Sequence, residues 1–284
     1  LAVPEVAARL RAGKQPQFYG GVEGEQRIFS PLKLELEPWQ APIGDAEKLD
    51  PDRASWSNSA AYLVELTEGI GALVFSSKMN VLGPVVLEAV HHTVDTAPYE
   101  GIVLCGAGDL FSVGADLKHM AGLVAGEKWQ ALEDFVVSFQ QAVQALRFAP
   151  FPVVAAVRGL ALGGGCEFSL VADARIAAAE LSMGLVETKV GLIPGSGGCM
   201  EMARRGANDI LAAFDTVFAG AISSSAFQAR AWGMLEPRDQ IVMGQGPLLQ
   251  PAVDWLQDSL AKGYSPVGTS QLQITGSKGY ELMG

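Results

Sequence analysis

Short apolar runs alternate with stretches of helical periodicity along the middle of the chain. The runs "YLVEL", "ALVFS", "GIVLCG", "PVVAAV" and "ARIAAA" predict buried strands over 62–66, 72–76, 101–106, 152–157 and 174–179. Apolar residues at helical spacing predict helices over 84–96 and 127–148, the second ending before Pro150. Strands and helices that alternate in this way are typical of an α/β core with mostly parallel strands.

The two flanks of this core have different patterns. Residues 1–58 are rich in proline, glycine and charge, with one short helical pattern at 5–12. They are interpreted as an extension or linker, followed by one domain over 59–262. After residue 195 this domain is mainly helical, with helices predicted over roughly 198–219, 224–232 and 247–262. The tail over 263–284 is rich in glycine and serine and weakly patterned.

Composition excludes several classes of function. A hydrophobic content of 49% over 284 residues is enough for a large core. The net charge of −11, without any block of Lys and Arg, argues against a nucleic-acid partner. Three widely spaced cysteines predict neither a disulfide framework nor a metal site, and favour a reducing compartment. The most apolar stretch is interrupted by prolines, an arginine and glycines, so no membrane span is predicted.

The sequence "LALGGGCEF" (160–168) places three glycines and a carboxylate in a stretch that otherwise looks like core. Glycines alone most often mean a tight turn between a strand and a helix. Such a turn also leaves free N–H groups at the start of the helix, where they suit a negatively charged oxygen. Glu167 lies three residues after Gly164, on the same helix face, so a carboxylate is predicted beside that N–H.

Two further stretches supply groups of the same kind. In "LFSVGADLKHM" (110–120), Ala115 opens a helix and offers a second free N–H, although such junctions are ordinarily helix caps. In "LSMGLVETKVGLIPGSGG" (181–198), Glu187 lies among apolar residues. Alone it would be interpreted as a solvated helix residue, but together with Glu167 it supplies the two carboxylates of acid–base chemistry.

Other catalytic motifs are weak or absent from the sequence. "PGSGG" lacks the G-x-S-x-G spacing of a serine hydrolase, and the three histidines have no evident triad context. Neither a P-loop nor G-x-G-x-x-G occurs, which argues against nucleotide hydrolysis and local dinucleotide binding.

The stretches "GADLKHM", "AAVRGLALGGGCEFSLVADARIA" and "VETKVGLIPGSGG", in this order and spacing, resemble the crotonase superfamily and its enoyl-CoA hydratases in particular. The resemblance covers roughly 60–262. The twenty positions that separate Glu167 from Glu187 match the spacing of the two catalytic glutamates in the hydratases. It implies an α/β fold, a crotonase-like spiral of ββα units with a helical C-terminal trimerisation region.

The resemblance also implies roles for individual residues. The N–H groups of Ala115 and Gly164 would form the oxyanion hole for the thioester oxygen. Glu167 would act as base on a water held between the glutamates, and Glu187 would deliver a proton to the α-carbon. The implied contacts of CoA are Lys78, Met79, Gly114, Asp116, Lys118, Gly163 and Lys262. No metal and no cofactor are implied, because the CoA thioester is itself the substrate.

The flanks resemble the hydratase portion of long proteins that carry a 3-hydroxyacyl-CoA dehydrogenase region before it. Residues 1–58 would then connect to a dehydrogenase region absent from this chain, and NAD would belong to that region alone. The chain opens with Leu1 and lacks the apolar region of a signal peptide, so we expect a processed or cut chain and a cytoplasmic location. The expected partners are an acyl-CoA substrate and either a trimer-based homo-oligomer or the protein's own dehydrogenase region.

Three hypotheses about function remain open at this point. The first is hydration of 2-enoyl-CoA in fatty-acid beta-oxidation, which two carboxylates favour because isomerases of the superfamily often use one. The second is a Δ3–Δ2 enoyl-CoA isomerase or another crotonase-type lyase or hydrolase. The third is a non-catalytic domain that holds acyl-CoA or docks partner subunits, and the presence of both glutamates argues against it.

Overall fold

The computed structural model describes residues 19–20, 27–30, 35–38, 49–206, 209–243, 247–268 and 276. The chain divides into two compact units, Leu1–Ile43 and Gly44–Gly284. In the first unit an antiparallel sheet is formed by strands β1 (Tyr19–Gly20), β2 (Arg27–Ser30) and β3 (Glu35–Pro38). The helix predicted over 5–12 lies outside the described residues.

A seven-stranded sheet forms the centre of the second unit, in the order β12-β10-β8-β7-β6-β5-β4. Its strands are β4 (Ala54–Ser57), β5 (Ala61–Thr67), β6 (Ile70–Phe75), β7 (Gly101–Gly106), β8 (Val153–Val157), β10 (Ala174–Ala178) and β12 (Gln240–Val242). Antiparallel pairing joins β4 to β5 and β5 to β6, and the other neighbours pair in parallel. The prediction of a mostly parallel sheet is therefore confirmed.

Alternate residues of these strands enter cores on the two faces of the sheet. On β6, Leu73 and Phe75 belong to one core, whereas Ala72 and Val74 belong to the other. Because both faces are buried, the strands are continuous apolar runs rather than alternating ones. This is why they could be recognised in the sequence.

Helices cover both faces of this sheet. They are α1 (Pro84–Thr96), α2 (Leu117–Ala125), α3 (Trp129–Arg147), α4 (Gly164–Val171), α5 (Gly198–Arg205), α6 (Ile210–Phe218), α7 (Ala226–Ala231) and α8 (Leu249–Ala261). On one face α1 packs on β5 and β6 and also against α3, which in turn contacts α4. On the other face α8 packs on β7, β8 and β10. No helix in the described part of the chain is long and apolar enough to cross a membrane.

A second, two-stranded sheet sets the position of the glycine turn. Strand β9 (Leu160–Leu162) follows β8 and pairs in parallel with β11 (Ser182–Gly184). The pairing continues into a bond in which Gly163 N–H donates to the carbonyl oxygen of Gly184 at 2.9 Å. The start of α4 is thereby held beside the chain that leads to Glu187.

The structure refines three of the predicted boundaries. The helix predicted over 127–148 is α3, and a separate helix, α2, precedes it. The stretch 198–219 holds two helices, α5 and α6, and Gly206 caps the end of the first. Strand β4 pairs with β5 although it lies within the stretch 1–58, so the sheet starts inside the segment interpreted as an extension.

Candidate active site

Both predicted glutamates face one cavity of about 380 Å³ in the second unit. Gly163, Gly164 and Ala115 line the same cavity. Most of the remaining wall is apolar and comes from α2, α3 and the segment after Glu187, including Leu117, Met120, Phe135, Val136, Phe139 and Ile193. Two carboxyl groups and a glycine turn therefore open into a largely hydrophobic space.

The two candidate oxyanion donors lie side by side because the loops that carry them contact each other through their backbones. Gly114 and Gly163 have positive φ angles of 100° and 53°. A β-carbon on Gly114 would stand 3.1 Å from the nitrogen of Gly164, and one on Gly164 would stand 3.4 Å from the nitrogen of Ala115. Among the described residues, neither the Gly164 nor the Ala115 N–H donates a hydrogen bond.

Glu167 is held rigidly in the first turn of α4. Its side chain is 3% exposed, and its Oε1 accepts bonds from the N–H groups of Ser196 at 2.9 Å and Gly198 at 2.8 Å. Burial raises the pKa of Glu167 above its ordinary value, although the two N–H donors lower it in part. Both of these bonds go to Oε1, so Oε2 is left for other partners.

Glu187, unlike Glu167, has a carboxyl group without hydrogen-bond donors among the described residues. It opens a short 3₁₀ helix, Glu187–Val190, and both of its carboxyl oxygens are buried without a hydrogen-bond partner among the described residues. A β-carbon on Gly163 would stand 3.5 Å from its Oε1, so the carboxyl group lies against the glycine turn. Burial raises the pKa of Glu187 to about 7, and the charge of Glu167 adds to the increase. Near neutral pH it is therefore poised to donate a proton.

The segments with the candidate CoA contacts are joined by backbone bonds. Leu82 N–H donates to the Gly114 carbonyl at 2.8 Å, and Asp116 N–H donates to the Leu82 carbonyl at 3.2 Å. Lys78 and Lys118 are exposed on these two segments. Met79, which precedes Asn80 in the same turn, has a φ of 59° and is 48% exposed.

Asp116 has an evident structural role. Its side chain accepts a bond of 2.9 Å from the N–H of His119 and so caps α2. Asp116 follows directly on Ala115, so the cap fixes the start of the helix beside one candidate oxyanion donor.

Among the predicted CoA contacts only Gly163 is part of the cavity wall, and Lys262 lies neither in that wall nor on the two segments described above. It follows the end of α8, is 73% exposed and pairs with Asp258 at 2.5 Å. A β-carbon on Gly101, at the amino end of β7, would stand 3.2 Å from Cδ2 of Leu256 in the second half of α8. The glycine turn follows strands at their carboxyl ends, so Lys262 lies toward the other end of the sheet.

Several residues of the site were not found from the sequence. The segment "PGSGG" lacks the spacing of a nucleophile turn, and its backbone N–H groups at Ser196 and Gly198 hold Glu167 instead. Gly197 between them has a φ of 134°, a conformation that permits this close turn. Any residue except proline can donate a backbone N–H, so such donors cannot be recognised by residue type. The clustered glycines were the only indication in the sequence that this segment turns closely around another group.

The described residues offer acid–base groups rather than a metal centre. No group of three or more His, Cys, Asp or Glu side chains among them is arranged to hold a metal ion. The arrangement presents two N–H donors to one anionic oxygen, and two carboxyl groups with different environments to a small reactant between them.

Comparison with known proteins agrees with this geometry. The profile of the family described as enoyl-CoA hydratase/isomerase matches residues 85–262. The chain is 34% identical over 235 residues to a protein of Bacillus subtilis named "Probable 3-hydroxyacyl-CoA dehydrogenase", which covers 80% of this chain and 30% of that protein. It is 34% identical over 154 residues to a Rickettsia felis protein named "Putative fatty acid oxidation complex trifunctional enzyme". This match covers 54% of this chain and 21% of that protein. The chain thus spans less than a third of the length of these relatives.

Solved structures confirm the predicted fold class. An enoyl-CoA hydratase from Bacillus anthracis superposes with a TM-score of 0.63 at 28% identity, covering 72% of this chain and 77% of the other. An enoyl-CoA hydratase from Polaromonas sp. JS666 gives a TM-score of 0.62 at 24% identity, covering 70% and 77%, and supports the fold alone. The predicted role of the C-terminal helices in trimerisation stays a prediction.

Proposed function

Since this chain belongs to the enoyl-CoA hydratase/isomerase family, we propose that it adds water across the 2,3 double bond of 2-enoyl-CoA thioesters to give 3-hydroxyacyl-CoA. The observation that carries the proposal is the pair of carboxyl groups, Glu167 and Glu187, that line one cavity beside two N–H groups. Each of the four groups has a task in this reaction.

The two N–H groups bind the thioester oxygen. Attack of water at C3 moves electrons onto that oxygen, and the donors of Ala115 and Gly164 stabilise the charge where it develops. Removing one such donor typically lowers the rate by about 10²–10³. Because both donors are backbone groups fixed by the contact of two loops, they need little reorganisation during the reaction.

The two carboxyl groups move the protons. Glu167, anchored through Oε1, takes one proton from water as the water oxygen bonds to C3. Glu187, whose pKa is raised to about 7, gives its proton to C2 as the enolate collapses. A proton exchanged between the two groups or with solvent then restores the starting state. Each such transfer typically contributes about 10²–10⁴ to the rate.

The walls of the cavity suit the rest of the substrate. The apolar side chains of α2 and α3 are suited to an acyl chain, and the segments around Lys78 and Lys118 are suited to CoA. Gly114 and Gly163 would border the thioester, and no cofactor is proposed because the thioester is the substrate. The names of the two relatives favour a role in fatty-acid beta-oxidation beside a dehydrogenase region. That region would bind NAD. A trimer-based assembly stays part of the proposal.

Glutamine substitutions test the proposal directly. Glu167→Gln and Glu187→Gln should each lower crotonyl-CoA hydration by about 10²–10⁴, measured as ultraviolet loss of the conjugated thioester. Binding of an acyl-CoA, measured by calorimetry, should persist. Glu133→Gln on the exposed side of α3 is the matched control. Near-wild-type turnover in either active-site variant would refute the assignment.

Isomerisation is the second candidate, and the environment of Glu187 is the observation that favours it. A single carboxyl group with a pKa near 7 can carry a proton from C2 to C4 of a 3-enoyl thioester. Supplying 3-enoyl-CoA and 2-enoyl-CoA to the same preparation separates the two activities. Hydratase activity predicts faster turnover of the 2-enoyl substrate and strict dependence on both glutamates.

A further inference from the structure

A glutamine on α3 reaches the segment that holds Glu167. Gln140 borders the cavity, and its Nε2 donates a bond of 2.9 Å to the carbonyl oxygen of Gly195. The N–H of Ser196 donates to Oε1 of Glu167 at 2.9 Å. The Gly195 carbonyl and the Ser196 N–H belong to the same peptide group, so Gln140 and Glu167 bind its two opposite ends.

This shared peptide group couples the two side chains. A peptide unit is planar, so a bond that fixes the direction of its carbonyl also fixes the direction of its N–H. A donor at the carbonyl polarises the amide as well, and hydrogen bonds in such a chain strengthen one another. Gln140 therefore both orients and strengthens the N–H that Glu167 accepts.

Packing does little to fix Gly195 itself, although Pro194 before it and Gly198 after it are buried. Gly195 is exposed, and a β-carbon placed on it would meet only atoms of Ile193, none nearer than 3.7 Å. Ile193 is itself 74% exposed, and glycines flank Ser196 on both sides. Apart from Glu167, Gln140 is the side chain of the described residues that hydrogen-bonds to the stretch 191–198.

We infer that Gln140 is a positioning residue, which acts on Glu167 through the Gly195–Ser196 peptide group. The inference rests on the proposed function for its kinetic consequence. Without the Gln140 donor, the Ser196 N–H would leave Oε1 more often, and Glu167 would be both less ordered and easier to protonate. The base would then be misplaced during proton transfer, while the apolar walls that bind the acyl chain would stay unchanged.

Kinetics of Gln140→Ala test the inference. We expect kcat for 2-enoyl-CoA hydration to fall about tenfold with KM within about twofold, and the acid limb of the pH profile to move to higher pH. Gln140→Glu keeps the size of the side chain but cannot donate when ionised, so above about pH 7 it should be at least as impaired. Gln144→Ala is the matched control, because Gln144 is exposed one turn further along the same helix and outside the cavity wall. Thermal midpoints of the three variants should stay within about 5 °C of wild type, so that a loss of kcat is not a loss of fold.

Two outcomes of the kinetics would overturn the inference. In the first, Gln140→Ala behaves like Gln144→Ala. In the second, the whole loss appears in KM, which would mean that Gln140 contacts substrate instead.

A measurement that needs no turnover separates this inference from the proposed function. The carboxyl carbon of Glu167 in ¹³C-glutamate-labelled protein can be assigned by its loss in Glu167→Gln and titrated by NMR. Its titration midpoint should rise by about half a unit to one unit in Gln140→Ala but not in Gln144→Ala. A midpoint unchanged by Gln140→Ala would overturn the inference. A Gln140-dependent midpoint in a protein without hydratase activity would keep it and reject the proposed function.

Discussion

The nitrogen of Gly164 lies 3.1 Å from the point where a β-carbon on Gly114 would stand. The two glycines are fifty positions apart in the sequence, yet their loops meet backbone to backbone. A β-carbon on Gly114 would also stand 2.7 Å from the carbonyl oxygen of Leu162, so a side chain there would separate the loops, and with them the two N–H groups proposed to bind the thioester oxygen. The proposed oxyanion hole thus depends on residues that have no side chain.

Gly164→Ala should remove most of the activity. The new β-carbon would lie 2.5 Å from Cζ of Phe139, so either that ring or the start of the helix must shift, and it would also stand 3.4 Å from the nitrogen of Ala115. We expect kcat to fall by about 10²–10³, the usual effect of losing one oxyanion donor. Gly122→Ala in α2 is the control, because a β-carbon there meets nothing within 4 Å. Equal kcat in the two variants would contradict the proposed hole.

The rate should depend on pH through the pair of carboxyl groups. Glu187 must be protonated to act, so kcat/KM should fall as the pH rises above about 7, where burial and the charge of Glu167 place its pKa. Glu167 must be ionised, so the rate should also fall at acid pH, and its raised pKa moves that limb upward. Because the groups interact, the two limbs belong to the pair. A rate that stays constant between pH 7 and pH 9 would contradict the role of Glu187.

Glu187→Gln should stabilise the folded protein above neutral pH. A carboxyl group whose pKa is higher in the folded than in the unfolded state favours folding less as the pH rises between the two values. Here that window runs from the ordinary value of 4.5 to about 7, and the destabilisation is fully present above it. Its size is on the order of 3 kcal/mol, so the thermal midpoint of the variant should exceed that of wild type at pH 8. At pH 4.5 the difference should disappear, and an equal difference at both pH values would contradict this origin.

Arg175→Met should destabilise the protein strongly. Arg175 is completely buried, pairs with Asp239 at 2.7 Å and donates to the carbonyls of Leu170 and Ala172 at the end of α4. Removing the guanidinium leaves Asp239 buried without its partner, which typically costs about 3–5 kcal/mol. Urea unfolding measures the loss. Arg238→Ala, whose side chain is 53% exposed, is the control and should change stability by less than about 1 kcal/mol.

The long strands and the two glutamates of the site could be predicted from the sequence. The short strands and the hydrogen-bonding residues that position these glutamates could not. Buried parallel strands are continuous apolar runs, and Glu167 and Glu187 were conspicuous because carboxylates rarely stand in such surroundings. Strands β9, β11 and β12 were missed because each has only three residues, too few for a period. Gln140 was missed for a different reason, since one exposed polar residue on a helix looks like any other until the opposite segment is known.

The parallel pairing of β9 with β11 has a consequence for how the site tolerates change. Each strand leads directly toward one of the two glutamates, and the chain between them leaves the site as α4 and returns along β10. The pairing therefore holds together the two chain segments that lead to the glutamates, whereas the number of residues between the glutamates depends on the length of the connecting segment. Residues inserted at the exposed Glu180, just before the chain enters β11, would lengthen the connecting segment. They would leave the pairing of β9 with β11 intact. The geometry of the site would then not require twenty positions between Glu167 and Glu187.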